Sequence, residues 1–208
     1  MATTTQSFVP LESGDRLTRE EFHRRYCARP DIRKANLVEG VVYVSSPVRF
    51  VQHSQPQGIV VMWLQVYAAS TPGVEAGVDA TILLSETSEV QPDGLLFRVQ
   101  PPGNARINER GYIEGAPELI VEIAASSASY DLHDKMEAYR KAGVEEYVVW
   151  QVFEKRIDRL RLSNGVYVPL QPNADGVIES EVFPGLRLPV AAMLAGDRAA
   201  VLAAVRET

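Results

Sequence analysis

Apolar residues crowd most densely in "GAPELIVEIAASS", residues 115–127, where Leu119, Ile120, Val121 and Ile123 surround Glu122. Apolar side chains on both faces predict a central strand covered on both sides. An unpaired ionised carboxylate in such a place is costly enough that it finds a cation or takes up a proton. Helical periods flank this strand. Thr18 with Glu21 forms a capping-box pattern and predicts a first helix over about 18–28, stopped before Pro30. Ile59, Met62, Trp63 and Val66 recur at helical spacing after Pro56, which a first turn tolerates, and His53 lies at the start of that helix. "SASYDLHDKMEAYRKAG" reads as a helix capped by Ser127 or Ser129 and closed by Gly143.

Period-two segments fill the remainder. "ANLVEGVVYVSSP" predicts a hairpin about Glu39-Gly40, and "KRIDRLRL" a half-exposed strand turned by Asn164-Gly165 into "VYVPL". "VEAGVDATILLS" and "DGLLFRV" read as consecutive strands joined by a polar turn, "SETSEVQP". "PPGNARINERG" reads as a mobile loop, "VEEYVVWQV" as a strand, and Pro189 to Val205 as one amphipathic helix. The order predicts an α/β or α+β fold, a mixed central β-sheet flanked by helices. Residues 1–16 are expected to form an irregular arm and 17–208 a single domain.

Composition narrows the function classes. The chain has 208 residues, 46% hydrophobic and 23% charged, an ordinary globular balance with one core. With no signal-like start and no apolar run near the roughly 18 residues of a membrane span, a cytoplasmic chain is expected. Cys27 is the only cysteine, which excludes an internal disulfide and a thiolate zinc cluster. A net charge of −6 argues against a surface that grips nucleic acid everywhere and leaves room for a local basic cleft.

Three charged residues stand out. Asp93 follows Pro92 and opens "GLLF", Glu122 interrupts the buried strand, and Lys135 lies on the next helix. On a helical wheel Lys135 projects within about 40° of Asp131 and Tyr139, so it can reach back toward Glu122 with its stem under Tyr139. Two carboxylates on neighbouring strands repel unless a cation lies between them. Hard oxygen ligands of this kind suit Mg²⁺ or Mn²⁺, which activate water and stabilise phosphoryl charge. Each residue also has a plainer reading: Asp93 as a turn residue, Glu122 as the buried partner of Arg98, Lys135 as an i,i+4 partner of Asp131.

"PDGLLF", "GAPELIVEIAASS" and "YDLHDKMEAYRKAGVEEYVVW" together resemble the Uma-two family of endonucleases, a branch of the PD-(D/E)XK, or restriction-endonuclease-like, superfamily. The resemblance runs from "LTREEF" at 17 to "RLRL" ending at 162 and is densest over 92–150. It implies a restriction-endonuclease-like core and a magnesium- or manganese-dependent nuclease site acting on nucleic acid, DNA in the first instance. By position Asp93 matches the acid of the "PD" motif and Glu122 that of "E-x-K", both as metal ligands. Ala124 stands where the superfamily has its lysine, and Lys135 matches the lysine relocated to the next helix. His53 matches a recurring histidine with a metal-proximal, phosphate-contacting or simple capping role, and Asp131 and Tyr139 support Lys135.

The chain departs from the family at Asn36, where an acid is usual, at Ala125 and Ser126 within "AASS", and at Gln151. Glu39, at odd separation from Asn36, points to the other strand face and substitutes poorly. Phosphate contacts are expected from Arg24, Arg25, Arg29, Arg33, Lys34, Arg106 and Arg110, runs that read equally as solvated faces. Cutting both strands of a duplex would suit a homodimer. The departures keep open a catalytically weakened descendant acting as a nucleic-acid-binding or regulatory module, and, more remotely, a purely structural oligomer.

Overall fold

A computed structural model describes residues 10–125 and 130–206. Helix α1 (Arg19–Cys27) begins as its capping pattern predicts, with the Thr18 hydroxyl accepting from the Glu21 amide. Strands β1 (Ala35–Val38) and β2 (Val41–Val44) form the hairpin about Glu39-Gly40, both at positive φ, the conformation a two-residue turn requires. A wide π-type turn, Phe50–Ser54, carries His53 and runs into α2 (Gln55–Ser70), with Pro56 in its first turn.

Next come β3 (Val74–Gly77), β4 (Ile82–Ser85), β5 (Ser88–Val90) and β6 (Gly94–Arg98). The segment "SETSEVQP" is therefore more than a turn. It contains β5, whose Ser88 and Glu89 are buried, because Ser88 Oγ takes the Glu39 amide and Glu89 pairs with His23. The expected loop "PPGNARINERG" also contains a strand, β7 (Ala105–Ile107), paired to β8 (Ile113–Gly115). Then β9 (Leu119–Ala124) precedes a second π-type turn, Asp131–Lys135, which continues into α3 (Met136–Ala142). Gly143 closes that helix at φ 88°. The expected caps Ser127 and Ser129 lie outside the described residues.

Strands β10 (Glu146–Gln151), β11 (Arg156–Ser163) and β12 (Val166–Pro169) follow as predicted, with Asn164-Gly165 at the turn. A small hairpin, β13 (Val177–Glu179) and β14 (Arg187–Pro189), precedes the C-terminal segment. The single helix expected there is two, α4 (Val190–Ala195) and α5 (Arg198–Arg206), broken where Gly196 adopts φ 72°.

The central sheet has the order β12-β11-β10-β9-β6-β3 and is mixed, since β9 and β10 run parallel and the other pairs antiparallel. Alternation sends Val121, Ile123, Val148 and Trp150 to one face, against Ile59, Trp63 and Leu64 of α2 and Val201 of α5. Ile120, Ala124, Tyr147 and Val149 go to the other, where Tyr139 of α3 and residues of a second sheet, β2-β1-β5-β4-β8-β7, cover them. Each fully buried aliphatic side chain contributes about 1.5–3 kcal/mol. Gly94 lets α2 descend onto β6: a Cβ there would lie 2.9 Å from Leu64 Cδ1 and 3.0 Å from Val60 Cγ1. That close approach brings the start of α2 down beside Asp93. Residues 10–16, the described part of the expected arm, rest against β2, with Leu11 buried and Asp15 O accepting from Val42. Among the described residues no helix is long and apolar enough to cross a membrane.

Candidate active site

Strands β6 and β9 pair antiparallel up to Gly94 opposite Val121, which leaves Asp93 and Glu122 as the next residues where the ladder ends, and the Ile123 amide donates to Asp93 Oδ2 there. Asp93 shares its strand face with Leu95, and Glu122 with Ile120 and Ala124, so both carboxylates project on the side covered by α3 and the second sheet. Only 2% of Asp93, 1% of Glu122 and 3% of Lys135 is exposed.

The cations that compensate them come from three separate elements. Lys135, last residue of the second π-type turn, places Nζ 2.9 Å from Glu122 Oε1, and the Tyr139 hydroxyl donates to the same oxygen at 2.7 Å. Lys34, just before β1, donates to Asp93 Oδ1 at 2.6 Å and to Asp79 Oδ1 at 2.8 Å. His53 Nε2 lies 3.3 Å from Asp93 Oδ2, which also accepts from the Ile123 amide at 2.8 Å. Both π-type turns thus deliver a site side chain, a placement such turns often serve. His53 Nδ1 is buried and, among the described residues, has no hydrogen-bond partner.

Electrostatics follow the geometry. Burial alone would raise the Asp93 carboxyl, but the His53 hydrogen bond and the Lys34, His53 and Lys135 charges outweigh it and hold it well below the carboxylate range. The Asp93 hydrogen bond raises His53 above its ordinary value against the opposing effect of burial. Lys34 is raised too: burial works against its charge, but Asp93 and Glu122 prevail. Burial first, then the Glu122 charge, pushes the Tyr139 phenol well up, so it remains a donor.

A cleft of about 510 Å³ opens over this cluster, lined by Lys34, Asn36, His53, Asp93, Glu122 and Lys135 among others. A larger hollow, about 890 Å³, lies between α1 and the β7–β8 hairpin. The smaller one is the candidate site, because both buried carboxylates and their cations converge there.

The sequence trio is therefore brought together, and His53 joins it. Asp131 opens the second π-type turn, but its side chain lies outside the described residues, as does Ser126. The plainer partner for Glu122 is not the one found: Arg98 turns to Glu118 and the Val182 carbonyl. Asn36 lines the cleft with its Oδ1 bound to the Gln91 amide at 2.8 Å, whereas Glu39 pairs with Lys141 at the hairpin turn. Gln151 donates to Asp158. Among the expected phosphate contacts, Arg24 and Arg25 pair with Glu21, Arg29 with Asp31 and Arg106 with Glu114. Lys34 alone of that set is seated on the carboxylates, and Asp79, its second partner, was not anticipated. A signal for Lys34 existed: it lies two residues before Asn36, on the same strand face.

Two oxygen ligands from facing strands, backed by cations, are a donor set that fits a hard divalent ion retaining several waters. Among the described residues no third His, Cys, Asp or Glu completes a metal cluster with them.

Residues 19–191 match the family model Uma2, described as "Putative restriction endonuclease". Among solved structures the chain is similar to "a putative nuclease belonging to DUF820 from Anabaena variabilis ATCC 29413", with a TM-score of 0.61 and 15% identity over 78% of this chain and 90% of that one. That likeness establishes a restriction-endonuclease-like fold. No curated protein matches in sequence.

Proposed function

The chain belongs to the Uma2 family, and from that premise we propose that it hydrolyses nucleic-acid phosphodiester bonds, DNA in the first instance, with the help of Mg²⁺ or Mn²⁺. The observation that carries the reading is the convergence of Asp93 and Glu122 at the floor of one cleft, with Lys135 on Glu122. Asp93 and Glu122 would be the ligands. A divalent ion held there would supply a lowered pKa for bound water and a positive charge for a phosphoryl oxygen.

The chain's own residues do the rest. Lys135, fixed by Glu122 Oε1 and passing beside the Tyr130 ring, keeps an ammonium at the cleft to orient the attacking water and offset developing charge. Tyr139 holds Glu122 from below through its hydroxyl. Lys34 counters the Asp93 charge, and because it also bridges to Asp79 it would keep a partner if Asp93 served as a ligand.

The test is cleavage of plasmid and short oligonucleotides at low salt with and without Mg²⁺. Cleavage should require the ion and vanish in Glu122→Ala; cleavage unchanged in that variant overturns the proposal. A second reading, a nuclease fold that binds without cutting, is favoured by Asn36, whose amide occupies a cleft position where the resembling family has an acid. Calorimetric titration with Mn²⁺ beside the same cleavage assay separates the two, since binding without turnover selects the second. Duplex cutting by this protein would call for two copies, one per strand.

A further inference from the structure

The rim of the cleft carries two large exposed apolar side chains, Val48 and Phe153, and two more, Phe50 and Val51, adjoin it along the chain. Residues 45–51 are exposed without interruption, and within them Val48, Phe50 and Val51 are 58, 70 and 61% exposed. Phe153, 60% exposed, sits at the tip of the turn joining β10 to β11. Val48, Arg49 and Phe153 border the same cleft as Asp93 and Glu122, and Phe50 follows Arg49 directly as the first residue of the turn that carries His53. Among the described residues the Arg49 guanidinium has no ion-pair partner, unlike Arg24, Arg25 and Arg29.

Exposed aromatics beside a charged cleft mark an interaction surface. Duplex DNA shows such a surface mainly phosphate and groove edges, because its base faces are stacked away. An unpaired strand shows those faces, and phenyl rings that hydrogen-bond nothing accept any base by stacking. A basic side chain for the backbone next to aromatic platforms for the bases is the combination that holds single strands. We propose that the cleft takes an unpaired nucleic-acid strand, with bases stacked on Phe153 and Phe50, a phosphate at Arg49 and the adjoining phosphate over Asp93 and Glu122. The last clause rests on the nuclease reading; the stacking does not.

Binding measured in EDTA, where no metal-dependent cleavage occurs, tests the two apart. Fluorescence anisotropy with a labelled oligothymidylate of about 20 nucleotides, against a duplex of equal length, should favour the single strand, and Phe153→Ala and Phe50→Ala should each weaken it roughly tenfold. Phe153→Trp should retain the affinity, and thermal melting and duplex binding should stay at wild-type values. Wild-type preference for the duplex, or alanine variants that bind the oligothymidylate like wild type, overturns the proposal. So does a dimer, seen by light scattering, that the two substitutions split without touching binding, since the rim would then join copies of the chain. A protein that binds as described yet never cleaves in Mg²⁺ or Mn²⁺ keeps the stacking surface and loses only the nuclease reading.

Discussion

Glu122 and Glu146 sit on adjacent parallel strands, equally buried, yet they have opposite fates. Glu146 opens β10 on the α2 face and is enclosed: Arg159 clamps it, Ser180 Oγ donates to both oxygens, and the amides of Glu181 and Val182 complete the set. Arg159 is itself wholly buried and lies 5.8 Å from the centre of the Trp63 ring. Glu122 lies toward the other end, on the other face, and shares a cleft floor with a second carboxylate. Burial of charge alone does not distinguish the proposed metal ligand Glu122 from the structural acid Glu146. A neighbouring like charge and an opening to solvent do, because together they give an incoming cation something to bind.

Arg159→Ala should show the largest effect, about 3–5 kcal/mol of stability lost in urea unfolding, since it leaves Glu146 buried without its cation. Mn²⁺ affinity measured on the folded fraction should not move. Glu122→Gln should lower cleavage by on the order of 10²–10³ while costing less stability than Arg159→Ala. Glutamine keeps an acceptor for Lys135 and Tyr139, and the ammonium borders a wet cleft. Equal stability losses would erase the contrast between the two glutamates.

The pH response of the cleft is the next measure. Asp93 is held below its ordinary 3.8, so its contribution is full above that value and is lost as pH falls through it toward the folded-state value. His53 is raised above 6.5, so its share is full below 6.5 and lost as pH rises through the higher folded-state value. The stability gap between wild type and Asp93→Asn, followed by urea unfolding from acid to mild base, should therefore be widest between those limits and narrow on either side. A flat gap would mean that the cations do not act through Asp93. The smallest change expected is from Asn36→Asp, which adds a third carboxylate to the cleft. Mn²⁺ affinity should rise roughly several-fold by calorimetry, because affinity at such sites follows the ligand charge count, while the metal-free protein becomes less stable.

Much of this architecture was legible in the chain. Caps at Thr18 and Gly143, the Glu39-Gly40 and Asn164-Gly165 turns, and the two-faced strand at 119–124 are local signals, and they form as read. Strand β5 was not legible: Ser88 and Glu89 look like turn residues, and only distant partners, Glu39 and His23, make their burial affordable. The break at Gly196 was hidden by an Ala- and Leu-rich pattern that continues across it.

The same division runs through the site. From sequence alone came the chemical types and their local frame: a carboxylate at a strand start, another inside a buried strand, a lysine on the inward side of the following helix. Nearest-neighbour patterns decide those, because they depend on periods of two and 3.6 residues. Tertiary structure alone decided that Asp93 adjoins Glu122, that Lys34 reaches Asp93 from 59 positions away, and that Asp79 receives the same ammonium. Charge pairing acts through space and is indifferent to separation along the chain, so periods of two and 3.6 residues mark which side chains face inward and leave open which of them meet.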